Sequence, residues 1–198
     1  PYFCSLEPLD EPRPIPARPT ITLLGRIAPN KGQEFFIQAL GLLPDNVQGV
    51  MVGNITEDNL PTLQQMAEQY NCADRLTFSP WVSRKEILKT MDNTSVFVFP
   101  SLWEETLGIV GIEALSRGVP VVASEVGGVG EWCIDNNTGV AVPPGDSNAI
   151  KDAVLSILDE EKRLVGFGRN GIQLIKEKFS QEYHTSRLLD IYKAAISQ

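Results

Sequence analysis

Four side chains in this 198-residue chain have the types and spacing that chemistry on a charged ligand requires. Glu105 and Glu113 lie eight residues apart in PSLWEETLGIVGIEALSRGVPVVAS (100–124), and Arg26 and Lys31 lie five apart in GRIAPNKG (25–32). A guanidinium offers phosphate oxygens a planar fork, and a lysine offers them a flexible point charge. Carboxylates accept charge-assisted hydrogen bonds from sugar hydroxyls. A nucleotide-sugar needs both kinds of partner. Each pair also has an ordinary reading. Roughly a quarter of residues in soluble proteins are charged, so one acidic pair at one spacing arises by accident, and 25–32 alone reads equally well as a solvated loop. What decides is the elements that carry these residues.

Alternation and β-branched content predict strands over 20–24, 47–52, 75–78, 95–99, 119–123 and 139–142. Helical spacing predicts helices over 32–43, 60–70, 84–91, from about 107 through Glu113, and throughout the chain from 148 onward. Strands alternating with helices give an α/β fold with a parallel sheet covered on both faces. The all-apolar Val96-Phe97-Val98-Phe99 agrees, because such strands are buried on both sides. Arg26 and Lys31 then follow the first strand, and Glu105 follows the fourth, just before a helix, with Glu113 about two turns into it. All sit at carboxyl ends of strands, on the sheet edge where open α/β folds bind ligands. Helix N-termini there favour a diphosphate.

Composition narrows the function classes. With 42% hydrophobic residues the chain fits one large domain. A net charge of −8 opposes bulk attraction to nucleic acid or anionic lipid, so a bound anion must be held by a few placed cations. No apolar run approaches the roughly 20 residues that span a bilayer. Cys4, Cys72 and Cys133 are odd in number and widely spaced, which suggests neither a disulfide framework nor a zinc site; reduced thiols in a cytoplasmic protein are expected. Residues 1–19 carry six prolines and read as an extended linker or domain edge rather than packed structure. Residues 20–180 form the ligand-binding domain. The helix over 181–196 presents Leu188, Leu189, Ile191, Tyr192 and Ile196 on one face, to be covered by a neighbour outside the chain.

Other motifs carry less. Gly166-Phe-Gly-Arg-Asn-Gly171 matches the dinucleotide fingerprint in text, but it falls between helical segments, where the fingerprint requires a preceding strand. No P-loop occurs. His184, the only histidine, lies in the C-terminal helical region and is read as structural.

The series GRIAPNKG, RLTFSPWVS, VFVFPSLWEETLGIVGIEALSRGVPVVAS, EVGGVGEW and TGVAVPPGD resembles, in order and spacing, the donor-binding half of the retaining GT-B glycosyltransferases of family GT4. The resemblance covers nearly all of the chain after Thr20. It implies a Rossmann-like, doubly wound parallel sheet with C-terminal helices, the C-terminal half of a GT-B enzyme. It implies that Arg26 and Lys31 bind the donor diphosphate and stabilise it as it leaves, and that Glu105 holds the transferred sugar near the reacting carbon. These three are the expected catalytic residues. The amides of Thr106, Leu107, Gly108 and Ile109 would meet the phosphates at the helix N-terminus, and Glu113 would accept from the ribose hydroxyls. Trp81 and Val82 would contact the base.

The donor implied is a nucleoside-diphosphate sugar, UDP ahead of GDP, with no cofactor and no metal. The acceptor, a sugar or lipid, would be bound mainly by a separate N-terminal domain, and peripheral membrane association of the whole enzyme is compatible with this. The chain departs from the family in having SPWV (79–82) where a glycine is common, and GNITE (53–57) in place of an acidic, glycine-rich loop. A nucleotide-sugar sensor without transfer activity, or a sugar-nucleotide epimerase, remains an alternative.

Overall fold

The apolar runs form six strands that all pair in parallel: β1 (Thr20–Leu24), β2 (Gln48–Gly53), β3 (Leu76–Pro80), β4 (Val96–Phe99), β5 (Val121–Ser124) and β6 (Gly139–Val142). The computed structural model describes residues 3–196. The sheet order is β3-β2-β1-β4-β5-β6, the doubly wound order of dinucleotide-binding folds. β1 pairs with β2 through Leu23↔Met51 and with β4 through Ile21↔Val96. The chain therefore reverses its direction of travel across the sheet between β1 and β4, and a crevice opens there at the carboxyl ends.

Helices cover both faces, as the strand composition requires. Helices α1 (Gln33–Leu42), α2 (Leu60–Gln69) and α5 (Ser147–Leu158) bury Phe36, Ile37, Leu40, Leu63, Ile150 and Ile157 with Ile21, Leu23 and Met51 on one side. On the other, α3 (Arg84–Asp92) and α4 (Ile109–Ser116) bury Met91, Ile112 and Leu115 with Phe97, Val121 and Trp132. α3 opens on a capping box, Ser83 accepting from the Glu86 N–H while Glu86 accepts from the Ser83 N–H.

Several boundaries differ from the sequence reading for identifiable reasons. α4 begins at Ile109, not near Thr106, because Gly108 at its N-cap has φ +78° and turns the chain into the helix. Thr106 and Leu107 thus belong to a loop. β3 begins at Leu76, because Arg75 is committed elsewhere. Its buried guanidinium donates to the carbonyls of Pro44, Val47, Leu40 and Leu43, closing the C-terminal end of α1.

The region after 148 resolves into α5, α6 (Glu161–Lys178) and α7 (Gln181–Ile196). The fingerprint-like GFGRNG lies inside the single helix α6. Two of its glycines serve close packing: a Cβ on Gly168 would meet the Gly118 carbonyl oxygen at 2.4 Å, and one on Gly171 would meet Leu115 at 2.7 Å. Among the described residues the proline-rich start has neither helix nor strand, yet it is packed, with Cys4 and Leu6 buried and the Cys4 and Leu9 N–H groups donating to the Phe179 and Ser116 carbonyls. Proline removes donors and fixes φ without preventing a segment from lying flat on a core.

Candidate functional site

Two loops at the switch point are joined to each other before any ligand is considered. The first leaves β1 through Gly25 and Arg26, makes one 3-10 turn at Pro29–Lys31 and enters α1. The second leaves β4 through Pro100 and Ser101 and enters α4. Gly32 lies so close to Pro100 that a Cβ would stand 1.8 Å from its carbonyl oxygen, and its φ of +69° independently favours glycine. The Asn30 carbonyl accepts from the Leu102 N–H at 2.9 Å and from Ser101 Oγ at 3.3 Å. Lys31 Nζ donates to Glu105 Oε1, and Ser101 Oγ lies 2.6 Å from the same oxygen. The Lys31 and Glu105 side chains keep only 21% and 12% of their surface exposed, so solvent and salt screen this pair less than a surface pair.

Two further segments hold these loops in place. The turn Gly127–Glu131 presses on the Glu105 loop, with the Gly128 N–H donating to the Glu105 carbonyl at 2.7 Å. Trp132 is fully buried, stands edge-on to Phe99 at 5.6 Å and donates its indole N–H to the Leu107 carbonyl. On the opposite rim Asn54 Oδ1 accepts from the Ile27 N–H, fixing the Arg26 loop. Ser101, Gly127, Gly128, Trp132 and Asn54 had no role in the sequence reading. The glycine pair and Trp132 stood in the quoted EVGGVGEW, but nothing local in that string says which backbone it approaches.

The result is a cavity of about 480 Å³ lined by Gly25, Arg26, Lys31, Trp81, Ser101, Glu105, Thr106, Leu107, Gly108 and Ile109, among others. That size lies within the roughly 300–1,000 Å³ of small-molecule sites. The first turn of α4 borders it, and the leading N–H groups of a helix have no partners within the helix. Arg26 is exposed and, among the described residues, makes no side-chain bond. The cavity thus offers one free cation, one cation already paired with a carboxylate, and a helix N-terminus. Trp81 is half exposed at its edge.

Two of the expected contacts do not line this cavity. Val82 is half-buried against the core on the α3 and α4 side of the sheet. Glu113 lies on α4, partly buried, facing the N-terminal segment. Burial pushes its carboxyl above the usual carboxylate range, against the opposing pull of the Arg84 guanidinium and a hydrogen bond from Ser5. Arg84 in turn donates to the Ser5 carbonyl at 2.6 Å and to its hydroxyl at 3.0 Å. Among the described residues no group of three or more His, Cys, Asp or Glu is placed to hold a metal ion, and no helix is long and apolar enough to cross a membrane.

Residues 9–174 match the family described as glycosyl transferases group 1. The GDP-mannose-dependent alpha-(1-6)-phosphatidylinositol monomannoside mannosyltransferase of Mycobacterium tuberculosis is 31% identical over 185 residues, a match covering 89% of this chain and 48% of that protein. Among solved structures, sucrose-phosphate synthase from Thermosynechococcus elongatus superposes with a TM-score of 0.83 at 28% identity, over 91% of this chain and 46% of that one. The C-terminal domain of a glycosyl transferase group 1 family protein (LpcC) from Francisella tularensis superposes with a TM-score of 0.75 at 25% identity, over 84% of this chain and 89% of that domain. This chain spans about half the length of the curated relatives it matches. With its six-stranded parallel sheet, its helices on both faces and this match, the chain belongs to the glycosyl transferases group 1 family and has the Rossmann-like fold of the GT-B enzymes.

Proposed function

We propose that this chain is the donor-binding domain of a retaining, metal-independent glycosyltransferase that moves a glycosyl unit from a nucleoside-diphosphate sugar to an acceptor hydroxyl. The observation that carries this reading is the convergence of Arg26, Lys31, Glu105 and the first turn of α4 on one cavity at the switch point. Arg26 and Lys31 take the diphosphate. The N–H groups from Thr106 to Ile109 add partial positive charge, now understood as a loop followed by a helix start rather than one helical turn. Glu105 holds the hydroxyls of the transferred sugar and Trp81 borders the base; Glu113 and Val82 stand outside the cavity lining, and their contacts with the ribose and the base require the donor to reach past its rim.

As the glycosidic bond breaks, negative charge grows on the diphosphate, and preorganised cations there stabilise it most. The leaving diphosphate then accepts the acceptor's proton on the same face, so the configuration at the anomeric carbon is kept and no protein nucleophile is assigned. The acceptor, a sugar or lipid, is bound by a second domain. The exposed Leu189, Ile191, Tyr192 and Ile196 of α7 support the reading that this helix packs on that domain. The donor base is uracil or guanine; the Mycobacterium tuberculosis relative is named for GDP-mannose. The protein acts in the cytoplasm, where the buried free cysteines stay reduced.

Calorimetric titration of the full-length protein with UDP, GDP and their sugars tests the site, and Arg26→Ala tests its mechanism. We expect micromolar to millimolar binding of one nucleotide series and a loss on the order of 10²-fold in kcat for Arg26→Ala. Normal transfer by Arg26→Ala would remove the role given to that residue. A new nucleotide-sugar formed without any acceptor would identify an epimerase instead.

A further inference from the structure

The two cations of the donor site do not start equal. Arg26 is exposed and, among the described residues, makes no side-chain bond. Lys31 is already bound to Glu105 Oε1 in a pair that is mostly withdrawn from solvent. An ammonium bound to Glu105 is not fully available to a diphosphate, and a Glu105 carboxylate bound to Lys31 is not fully available to sugar hydroxyls. A donor brings at least two negative charges on its diphosphate against the single charge of Glu105, so it competes well for Lys31. When Lys31 turns to the diphosphate, Glu105 loses its strongest neighbour at the moment it must hold the sugar.

Ser101 is placed to cover that loss. It is buried, retaining 1% exposure, two residues beyond the end of β4. Its Oγ lies 2.6 Å from Glu105 Oε1 and 3.3 Å from the Asn30 carbonyl, and it accepts from the Trp103 N–H at 3.3 Å. The hydroxyl has one proton, and both the Glu105 carboxylate and the Asn30 carbonyl can receive it. The carboxylate is the nearer and charged acceptor, and charge-assisted bonds are about twice as strong as neutral ones. The Glu105 carbonyl is separately fixed by the Gly128 N–H. Backbone and carboxylate are therefore both anchored without Lys31.

Resting on the donor-site reading above, we propose that the Lys31–Glu105 pair is a latch that the donor diphosphate opens, and that Ser101 is the positioning residue that keeps Glu105 in place once Lys31 has left it. Free nucleoside diphosphate must then break an ion pair to bind, and removing the carboxylate makes its binding tighter. Ser101 acts on transfer and not on nucleotide capture.

The test titrates the full-length protein, wild type and the variants Arg26→Ala, Glu105→Gln, Ser101→Ala and Ser101→Thr, with UDP and GDP, and measures donor kcat and KM. Expected are UDP or GDP affinity at least threefold tighter in Glu105→Gln than in wild type and several-fold weaker in Arg26→Ala. For Ser101→Ala, kcat falls about tenfold, as for a lost hydrogen bond to a charged group, while diphosphate affinity stays within twofold. Ser101→Thr, which keeps the hydroxyl, recovers most of that rate. Affinity weakened by Arg26→Ala but not tightened by Glu105→Gln overturns the latch alone. A Ser101→Ala variant that loses nucleotide affinity as much as kcat, or loses neither, overturns the role of Ser101. Absence of nucleotide binding by the wild type, or indifference to Arg26→Ala, overturns the donor-site reading and the latch with it.

Discussion

Glu105 and Glu113 are the same side chain eight residues apart, and the molecule treats them in opposite ways. Glu105 stands in a loop held by four contacts: the Lys31 ammonium, the Ser101 hydroxyl, the Gly128 N–H and, through Leu107, the Trp132 indole. Glu113 stands on α4 with few polar neighbours, beside Arg84 and Ser5, and its burial is only partly offset. A carboxylate in a loop needs many partners to acquire one position, because the loop backbone does not supply it. One on a helix inherits its position from the helix and needs fewer partners to hold it. The lesson is that precision at Glu105 is built mostly from residues distant in sequence, with Ser101 of its own loop, while precision at Glu113 is built into the helix.

The widest separation between the two should come from Gly127→Val. At Gly127 a Cβ would stand 2.2 Å from the Glu105 carbonyl oxygen and 2.7 Å from its nitrogen, and φ is +51°. Both neighbours are backbone, so nothing flexible can yield. We expect transfer to fall below detection and stability to drop by about 3 kcal/mol, in the upper part of the single-mutant range. Urea denaturation and an assay of the same preparation check both. A variant with wild-type stability would show that the turn does not brace the Glu105 loop.

Next in size is the contrast between Glu105→Ala and Glu113→Ala. If Glu105 serves the sugar and Glu113 the ribose, the first lowers kcat on the order of 10²-fold, as for loss of a preorganised polar group at the reacting centre. The second raises the nucleotide Kd about tenfold, the cost of one hydrogen bond to a charged group, with kcat at saturation little changed. Steady-state kinetics with calorimetry separates the two. Equal effects of both variants on kcat and Kd alike would erase the distinction.

The fold was legible in the sequence for a reason that also limits the site. Strands such as 96–99 are buried on both faces and announce themselves by composition, and their alternation with helices gives the parallel sheet. Arg26, Lys31 and Glu105 could be placed on one edge because each follows a strand. What could not be read were contacts between loops. Gly32 against Pro100, Gly127 against Glu105 and Asn54 against Ile27 depend on how segments 20 to 75 residues apart meet. The same holds for Arg75, whose four carbonyl partners on α1 and its exit shortened β3. Nor does the sequence show that Lys31 is already paired while Arg26, among the described residues, makes no side-chain bond.

The smallest expected effect is also the one whose sign is most specific. Burial raises the Glu113 carboxyl above its ordinary 4.5, with Arg84 and Ser5 opposing the shift. Between the unfolded and folded values the native state binds more protons than the unfolded chain. The contribution of this group to stability is therefore complete below about 4.5 and is lost as pH rises through the folded value. Glu113→Gln has no such loss. Its urea midpoint should match the wild type near pH 4 and exceed it increasingly toward pH 7, at the expense of nucleotide affinity. Glu105→Gln should behave oppositely at pH 7, because it leaves the mostly buried Lys31 ammonium without its counter-charge, and its midpoint falls below the wild type. If both substitutions moved the midpoint the same way at pH 7, the two glutamates would not differ in how the fold accommodates their charge, and the division between a residue held by the protein and one reserved for the ligand would fail.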